Sequence, residues 1–169
     1  MMPKEIVNRV ANSQLVTIDL ENYYPNGDRV LFDIKEWLFA EQILKEKDFR
    51  EFVKTENWNA YKNKYVALTC SSDAIIPSWA FLLITVALSP FANLVVVGDL
   101  KDLETAIFQS VISEIHLKEF EGKPIIIKGC SDINIPDTAY SMLIHRLIPI
   151  AKSIMYGEAC SSVPLYKKN

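Results

Sequence analysis

Long apolar runs are missing from this 169-residue sequence. The longest uninterrupted ones, such as residues 79–84, fall far short of the roughly 20 residues that a membrane-spanning helix needs. The opening residues Met1-Met2-Pro3-Lys4-Glu5 lead into no apolar core of a signal peptide. We therefore expect no membrane segment and a cytoplasmic location, where cysteine side chains stay reduced.

A surplus of positive charge is missing as well. The net charge is −3, and the lysines and arginines are scattered along the chain. The terminal pair Lys167-Lys168 is more typical of a solvated end than of a basic patch, so we expect no nucleic-acid partner. The phosphate-binding motifs GxGxxG and GxxxxGK(S/T) are also absent, which makes a phosphate-binding module less favoured.

The sequence does contain a short setting that recurs around its three cysteines. A serine follows each cysteine at once, and an Ile or Val and then a Pro follow within a few residues. The three tripeptides are Cys70-Ser71-Ser72, Cys130-Ser131-Asp132 and Cys160-Ser161-Ser162. The setting belongs to a longer internal repeat, because residues 66–99 align with residues 126–158 when one residue is skipped near the cysteine. This alignment matches Cys70 with Cys130.

Each copy of the repeat has the pattern of a strand, a loop, a helix that begins at Pro, and a second strand. The aliphatic runs are typical of strands buried on both faces of a parallel sheet, and the helices are long enough to cross over between such strands. The predicted strands are 66–69, 94–97, 125–128 and 154–156, and the predicted helices are 77–89, 100–117 and 136–148. The sequence therefore predicts an α/β fold of duplicated βαβ units that form a mainly parallel sheet.

Right-handed crossovers and a pseudo-twofold axis between the copies predict the order of these strands. The expected order is second, first, third, fourth, so that the strands before Cys70 and Cys130 are neighbours. Residues 1–65 differ: 15–20 and 29–34 are strand-like around a turn and predict a hairpin or an antiparallel edge extension, and 46–54 is helical. We expect a single domain over residues 1–169.

The cysteines are the leading candidates for a functional site. Ligands bind outside the carboxyl ends of the strands of an open parallel sheet, and both Cys70 and Cys130 end predicted strands. Neighbouring strands lie about 4.8 Å apart and Zn–S bonds are about 2.3 Å long, so thiolates from adjacent strand ends can share a metal. Cys160 follows the fourth strand and reaches the same edge. The sequence thus predicts a three-cysteine site for zinc or an iron–sulfur cluster, without separating the two.

Three thiolates leave one position for a fourth ligand, a substrate or a second protein. Asp99 and Glu158 follow the glycine that ends each second strand, so they are the candidate fourth ligands. The serines directly after the cysteines are candidates for hydrogen bonds that tune a bound cofactor. These residues are Ser71, Ser131 and Ser161.

Two other roles for the cysteines stay open. A cysteine in a loop that enters a helix is suited to thiol-based redox or sulfur-carrier chemistry. No Arg closes a Cys-x5-Arg loop after Cys70, and neither His116 nor His145 is near a cysteine in the sequence. Alternatively the cysteines are purely structural, because free cysteine often packs as a small hydrophobic residue. An odd number of cysteines argues against a disulfide framework.

Four segments carry a resemblance to a known family. They are Phe32-Asp33-Ile34-Lys35-Glu36-Trp37-Leu38-Phe39, Ile43-Leu44-Lys45-Glu46-Lys47-Asp48-Phe49-Arg50, the stretch YVALTCSSDAIIP over 65–77, and KSIMYGEACS over 152–161. The sequence resembles an uncharacterised bacterial family, a domain of unknown function that spans essentially the whole chain. Genes of this family often lie near SUF-type iron–sulfur assembly genes. The resemblance therefore implies an accessory role beside iron–sulfur assembly proteins and favours a cluster over zinc, and it leaves a homo-oligomer open.

Overall fold

A computed structural model of the protein describes residues 15–129, 131–158 and 160–168. The strands are β1 (Val16–Ile18), β2 (Arg29–Asp33), β3 (Tyr65–Thr69), β4 (Leu94–Val97), β5 (Pro124–Ile127), β6 (Ser153–Glu158) and β7 (Ser161–Lys167). The helices are α1 (Glu46–Thr55), α2 (Ser78–Leu88), α3 (Leu100–Glu114) and α4 (Asp137–Leu147). No described helix is long and apolar enough to cross a bilayer.

The chain forms two compact units, and the boundary between them falls within α3. The central unit comprises residues 25–108, and the outer unit combines the residues before 25 with those after 108. Compactness does not show whether either unit folds alone, so the single domain over 1–169 stays a prediction.

The central unit contains a three-stranded parallel sheet in the order β2-β3-β4. The middle strand β3 has Val66, Ala67 and Leu68 fully buried, as its continuous apolar sequence predicts for a strand covered on both faces. Val66 and Leu68 pack with Phe49 of α1 and Ile84 of α2 in the core of this unit. The crossover helices α1 and α2 contact each other.

The outer unit contains a four-stranded sheet in the order β1-β5-β6-β7. Strands β1, β5 and β6 are parallel, and β7 is an antiparallel edge strand beside β6. The inner strand β5 has Ile125, Ile126 and Ile127 buried, and α4 has Leu143 and Leu147 buried. Each predicted βαβ unit is confirmed, as β3-α2-β4 in one sheet and β5-α4-β6 in the other.

The two units repeat the same structure at a constant distance along the chain. Strand β3 begins at residue 65 and β5 at residue 124, 59 residues later. The same separation relates α2 to α4, and it relates the short 3-10 helix Trp58–Tyr61 to its counterpart Leu117–Phe120. Backbone hydrogen bonds repeat with it, since Asn93 donates to Lys64 and Lys152 donates to Lys123. The repeat is therefore longer than the sequence alignment predicts.

The constant separation corrects the alignment around the cysteines. No residue is skipped between the two copies, so Cys70 is equivalent to Gly129. The hydroxyl oxygens of Ser72 and Ser131, 59 residues apart, each accept from the backbone N–H two residues later, which confirms this register. The structural equivalent of Cys70 in the outer unit is therefore a glycine and not a cysteine.

The α/β class with mostly parallel strands is confirmed, but two details of the predicted sheet are wrong. The strands before Cys70 and Cys130, β3 and β5, belong to different sheets. Strands β1 and β2 form no hairpin, because β1 pairs with β5 and β2 with β3, both in parallel. The physical reason is that each βαβ unit leaves one side of its first strand open, and a third parallel strand satisfies that edge.

Candidate functional site

The structure places the three cysteines differently from the prediction. Cys70 directly follows β3 and is half-buried, whereas Cys160 is exposed in the turn between β6 and β7. Cys130 lies outside the described residues. The predicted adjacency of the strands that precede Cys130 and Cys160 is confirmed, since β5 and β6 are parallel neighbours. The strand that precedes Cys70 belongs to the other sheet.

The predicted fourth ligands have other contacts. Asp99 accepts hydrogen bonds from the backbone N–H groups of Asp102 and Lys101, at 2.9 and 2.8 Å, and so caps the start of α3. The bond from Asp102 is the main cause that lowers the pKa of Asp99. Glu158 ends β6 and pairs with Ser161, itself exposed at the start of β7. Among the described residues, no group of three His, Cys, Asp or Glu side chains is arranged to hold a metal.

Cys70 lies in a loop that one carboxylate holds in place. Oδ1 of Asp33, at the end of β2, accepts from the backbone N–H of Lys35 at 2.9 Å and from that of Ser71 at 3.1 Å. Partial burial raises the pKa of Asp33, but hydrogen bonds from the Ser71 side chain and from both backbone groups outweigh it and lower the pKa. Ser71, the residue directly after Cys70, is thereby tied to the end of β2.

The Cys70 thiol has one polar neighbour and one cation near it. Its side chain packs against the core of the central unit, while Sγ lies 3.2 Å from Oγ of Ser72. Nζ of Lys35 lies 2.9 Å from a carboxylate oxygen of Glu41. That hydrogen bond is the main cause that raises the pKa of Lys35, and Cys70 adds a smaller electrostatic contribution with the same sign. Ser72, not the predicted Ser71, is the serine that contacts the sulfur.

An open groove of about 710 Å³ runs beside this loop. Lys35, Ser71, Ser72 and Asp73 line it with polar groups. Apolar side chains stand exposed at its walls, since Ile43 is 56% exposed and Ile75 is 94% exposed. The groove therefore offers charge, hydroxyl groups and uncovered apolar surface next to Cys70.

One wall of the groove is a tight turn with an uncommon backbone. Ala40 and Glu41 have φ angles of 50° and 58°, in the left-handed region where side chains other than Gly are strained. Two backbone hydrogen bonds between Phe39 and Ile43, of 2.8 and 3.0 Å, close the turn. Nζ of Lys45 lies 3.3 Å from the centre of the Phe39 ring and adds a cation–π contact. Such strain is commonly retained at binding sites.

The outer unit uses different chemistry at the same edge of its sheet. Asp19, at the position of Asp33, forms an ion pair of 2.8 Å with Lys128. The carboxylate of Glu21 accepts from the Ser131 hydroxyl at 3.1 Å and from the Asp132 backbone at 3.2 Å. This edge is therefore acidic where the central unit has Lys35.

Two tyrosines occupy the space that a thiol fills in the central unit. A Cβ on Gly129, the residue equivalent to Cys70, would lie 2.9 Å from Cζ of Tyr156. Tyr156 packs edge-to-face against Tyr140, with ring centres 5.4 Å apart. Burial and the neighbouring Tyr156 raise the pKa of Tyr140 to about 12. The outer unit therefore has no room for a cysteine at this point unless Tyr156 moves.

Sequence reasoning missed Asp33, Lys35 and Ser72. A usable signal exists, because the triplets Ile18-Asp19-Leu20 and Phe32-Asp33-Ile34 share an acid at the end of an apolar run. Their separation of 14 residues differs from that of the later copies, since residues 25–108 are inserted into the outer unit. Comparing the two triplets directly would have paired the two aspartates, whereas the 59-residue separation of the later copies does not reach them.

Comparison with known proteins identifies a family. No curated protein and no protein of solved structure matches the chain significantly. Residues 4–168 match the model of the family described as "Protein of unknown function (DUF2480)". The match covers nearly the whole sequence, as the resemblance of its four segments implies. The chain therefore belongs to the DUF2480 family.

Proposed function

We propose that the protein is a thiol-dependent sulfur carrier of the cytoplasm, accessory to iron–sulfur cluster assembly, in which Cys70 is the reactive group. One observation supports this most strongly: the half-buried Cys70 thiol lies 3.2 Å from the hydroxyl of Ser72, which lines an open groove. The accessory role and the partner proteins rest on the family resemblance alone.

The chemistry requires a thiolate, which is the nucleophilic form of cysteine. The Ser72 hydroxyl, 3.2 Å from Sγ, can donate a hydrogen bond to the charged sulfur. The Cys70 thiolate attacks the outer sulfur of a donor persulfide, RSSH. A new S–S bond forms at Cys70, the S–S bond of the donor breaks, and the donor leaves as a thiolate. The step needs no external oxidant or reductant.

Partial burial suits a carrier. A persulfide on an exposed cysteine is open to attack by any thiol in solution, whereas one on a half-buried cysteine beside the core is less accessible. The carboxylate of Asp33 holds the backbone of Ser71, the residue directly after Cys70, and so restrains the loop that carries the sulfur. Cys160, which is exposed, lacks this protection.

The test is persulfide loading of reduced protein with cysteine persulfide, followed by mass spectrometry of the intact chain and its peptides. We expect a gain of about 32 Da, one sulfur atom, on the peptide that contains Cys70. The Cys70→Ser variant should lose it, and the matched Cys160→Ser variant should keep it. Ser72→Ala should slow loading several-fold, because the sulfur loses its hydrogen-bond partner. Loading that is unchanged in Cys70→Ser would refute the proposal.

The three-cysteine zinc or cluster site remains a second candidate. The observation in its favour is that β5 and β6, which precede Cys130 and Cys160, are adjacent and parallel. Metal analysis and a visible spectrum of protein purified without oxygen test it directly. If the three cysteines share a site, each single Cys→Ser change lowers bound metal by a similar large factor. Unchanged metal content in all three variants would argue for cysteines without a metal role.

A further inference from the structure

The outer face of α2 is apolar although it faces solvent. Leu82 and Val86 are 60% and 69% exposed, and with half-buried Trp79 they form a stripe along one side of the helix. The helix contains no charged residue. These three side chains, together with Leu83 and Arg50 of α1, line a shallow depression of about 270 Å³.

The second copy of the repeat shows that the fold does not require this stripe. In α4 the equivalent positions are Thr138, Ser141 and His145, all polar and all exposed. Helix α4, which occupies the equivalent place in the other unit, therefore has a polar outer face. The apolar stripe of α2 is a property of this copy and calls for something that covers it.

The ends of the two helices differ in the same sense. In α4, Asp137 stands in the first turn and His145 and Arg146 in the last, where their charges complement the helix dipole. In α2 the first turn has no acidic residue and the last turn has no basic one. The carboxyl end of α2 therefore lacks the cation that its counterpart carries within its own helix.

We propose that α2 forms the twofold interface of a homodimer, packed antiparallel against α2 of a second copy. The stripe runs from large to small, from Trp79 through Leu82 to Val86, so only an antiparallel pair sets each large side chain against a small one. Arg50 stacks over Trp79 at 5.5 Å. In this arrangement it lies beside the carboxyl end of the partner's α2 and supplies the missing cation.

Sedimentation velocity over a concentration series tests the dimer. We expect the apparent mass to rise from 19.3 kDa towards twice that value. The double variant Leu82→Ser, Val86→His, which installs the residues of α4, should remain a monomer with unchanged far-UV circular dichroism. Val163→Ser is the matched control, since Val163 is 60% exposed on β7, and it should leave the dimer intact. Arg50→Gln should raise the dissociation constant several-fold.

A disulfide cross-link provides an independent test of the dimer. Residue 82 lies near the twofold axis, so Leu82→Cys in a Cys70→Ser, Cys130→Ser, Cys160→Ser background should form an intermolecular disulfide on mild oxidation. The Val163→Cys change in the same background should not. A wild-type protein that is monomeric at every concentration, a dimer that the double variant leaves intact, or equal cross-linking at both positions would overturn the proposal.

Discussion

At the scale of single residues, the two copies of the repeat differ at one position in a way that packing explains. Cys70 and Gly129 are equivalent, and the ring of Tyr156 fills the space beside Gly129 in which the other unit places a thiol. This half-buried position accepts either a side chain at the strand end or a ring from the neighbouring strand, because both cannot fill the same volume. The Cys70 side chain in the central unit and the Tyr156 ring in the outer unit therefore fill equivalent space.

Gly129→Ala tests this exclusion. The added Cβ would meet Cζ of Tyr156 at 2.9 Å, so we expect the free energy of unfolding to fall by about 1–3 kcal/mol. The same substitution should lower the free energy of unfolding much less in a Tyr156→Val background. Valine is chosen because Val97 is the equivalent residue of the central unit. Chemical denaturation of the four proteins in this cycle gives the coupling. An equal cost in both backgrounds would contradict the packing explanation.

Asp33 gives a prediction with a defined pH dependence. Its pKa is lowered below the ordinary value of 3.8 in the folded state, so it adds stability above that value, which is lost as the pH falls through the folded-state pKa. Asp33→Asn should therefore lower the free energy of unfolding at neutral pH, by roughly 1 kcal/mol or less because solvent screens the partly exposed carboxylate. The difference from wild type should shrink in acid.

The control for Asp33 is Asp28→Asn, since the Asp28 carboxylate is 78% exposed and lies 4.0 Å from Lys64. It should change stability little at any pH. Urea denaturation between neutral and acidic pH measures both variants. A difference between Asp33→Asn and wild type that grows in acid would have the wrong sign for a carboxylate stabilised in its charged form.

At the scale of elements, the turn through Ala40 and Glu41 is the part of the groove wall with the most strained backbone. Ala40→Gly removes the Cβ that the left-handed region disfavours at φ 50°. We expect a gain of up to about 1 kcal/mol, reduced by the greater freedom of Gly in the unfolded chain. Ala74→Gly, on the opposite wall and without a positive φ, should instead be neutral or destabilising. A destabilised Ala40→Gly protein would contradict the strain.

At the scale of the whole molecule, the tryptophans give a probe for one unit alone. Trp37, Trp58 and Trp79 are the only tryptophans in the sequence, and all lie within residues 25–108. The boundary between the two units falls within α3, so each unit contains a part of this helix. We therefore expect tryptophan fluorescence and far-UV circular dichroism to report one coincident unfolding transition. Separate transitions would contradict the single domain.

Several features of the fold were predictable because they depend on neighbouring residues. The helix predicted over 77–89 is α2, with Pro77 at its N-cap, and the pairing of β3 with β4 follows from a crossover of local length. The hydrogen bond from the backbone of Ser71 to the carboxylate of Asp33 was not predictable in this way. Asp33 and Ser71 are 38 residues apart, and Asp19 and Lys128 are 109 apart, so no local pattern links them.

The sequence by itself determined the class of fold, the two βαβ units and the positions of the helices, since hydrophobic periodicity and turn residues act over a few residues. Only the tertiary structure decided which sheet each early strand joins. Backbone hydrogen bonds between parallel strands do not depend on the side chains. Strand β1 pairs with β5 and β2 pairs with β3, and the two do not pair with each other. That choice separates the strand before Cys70 from the strand before Cys130, and it sets the backbone of Ser71 beside the carboxylate of Asp33.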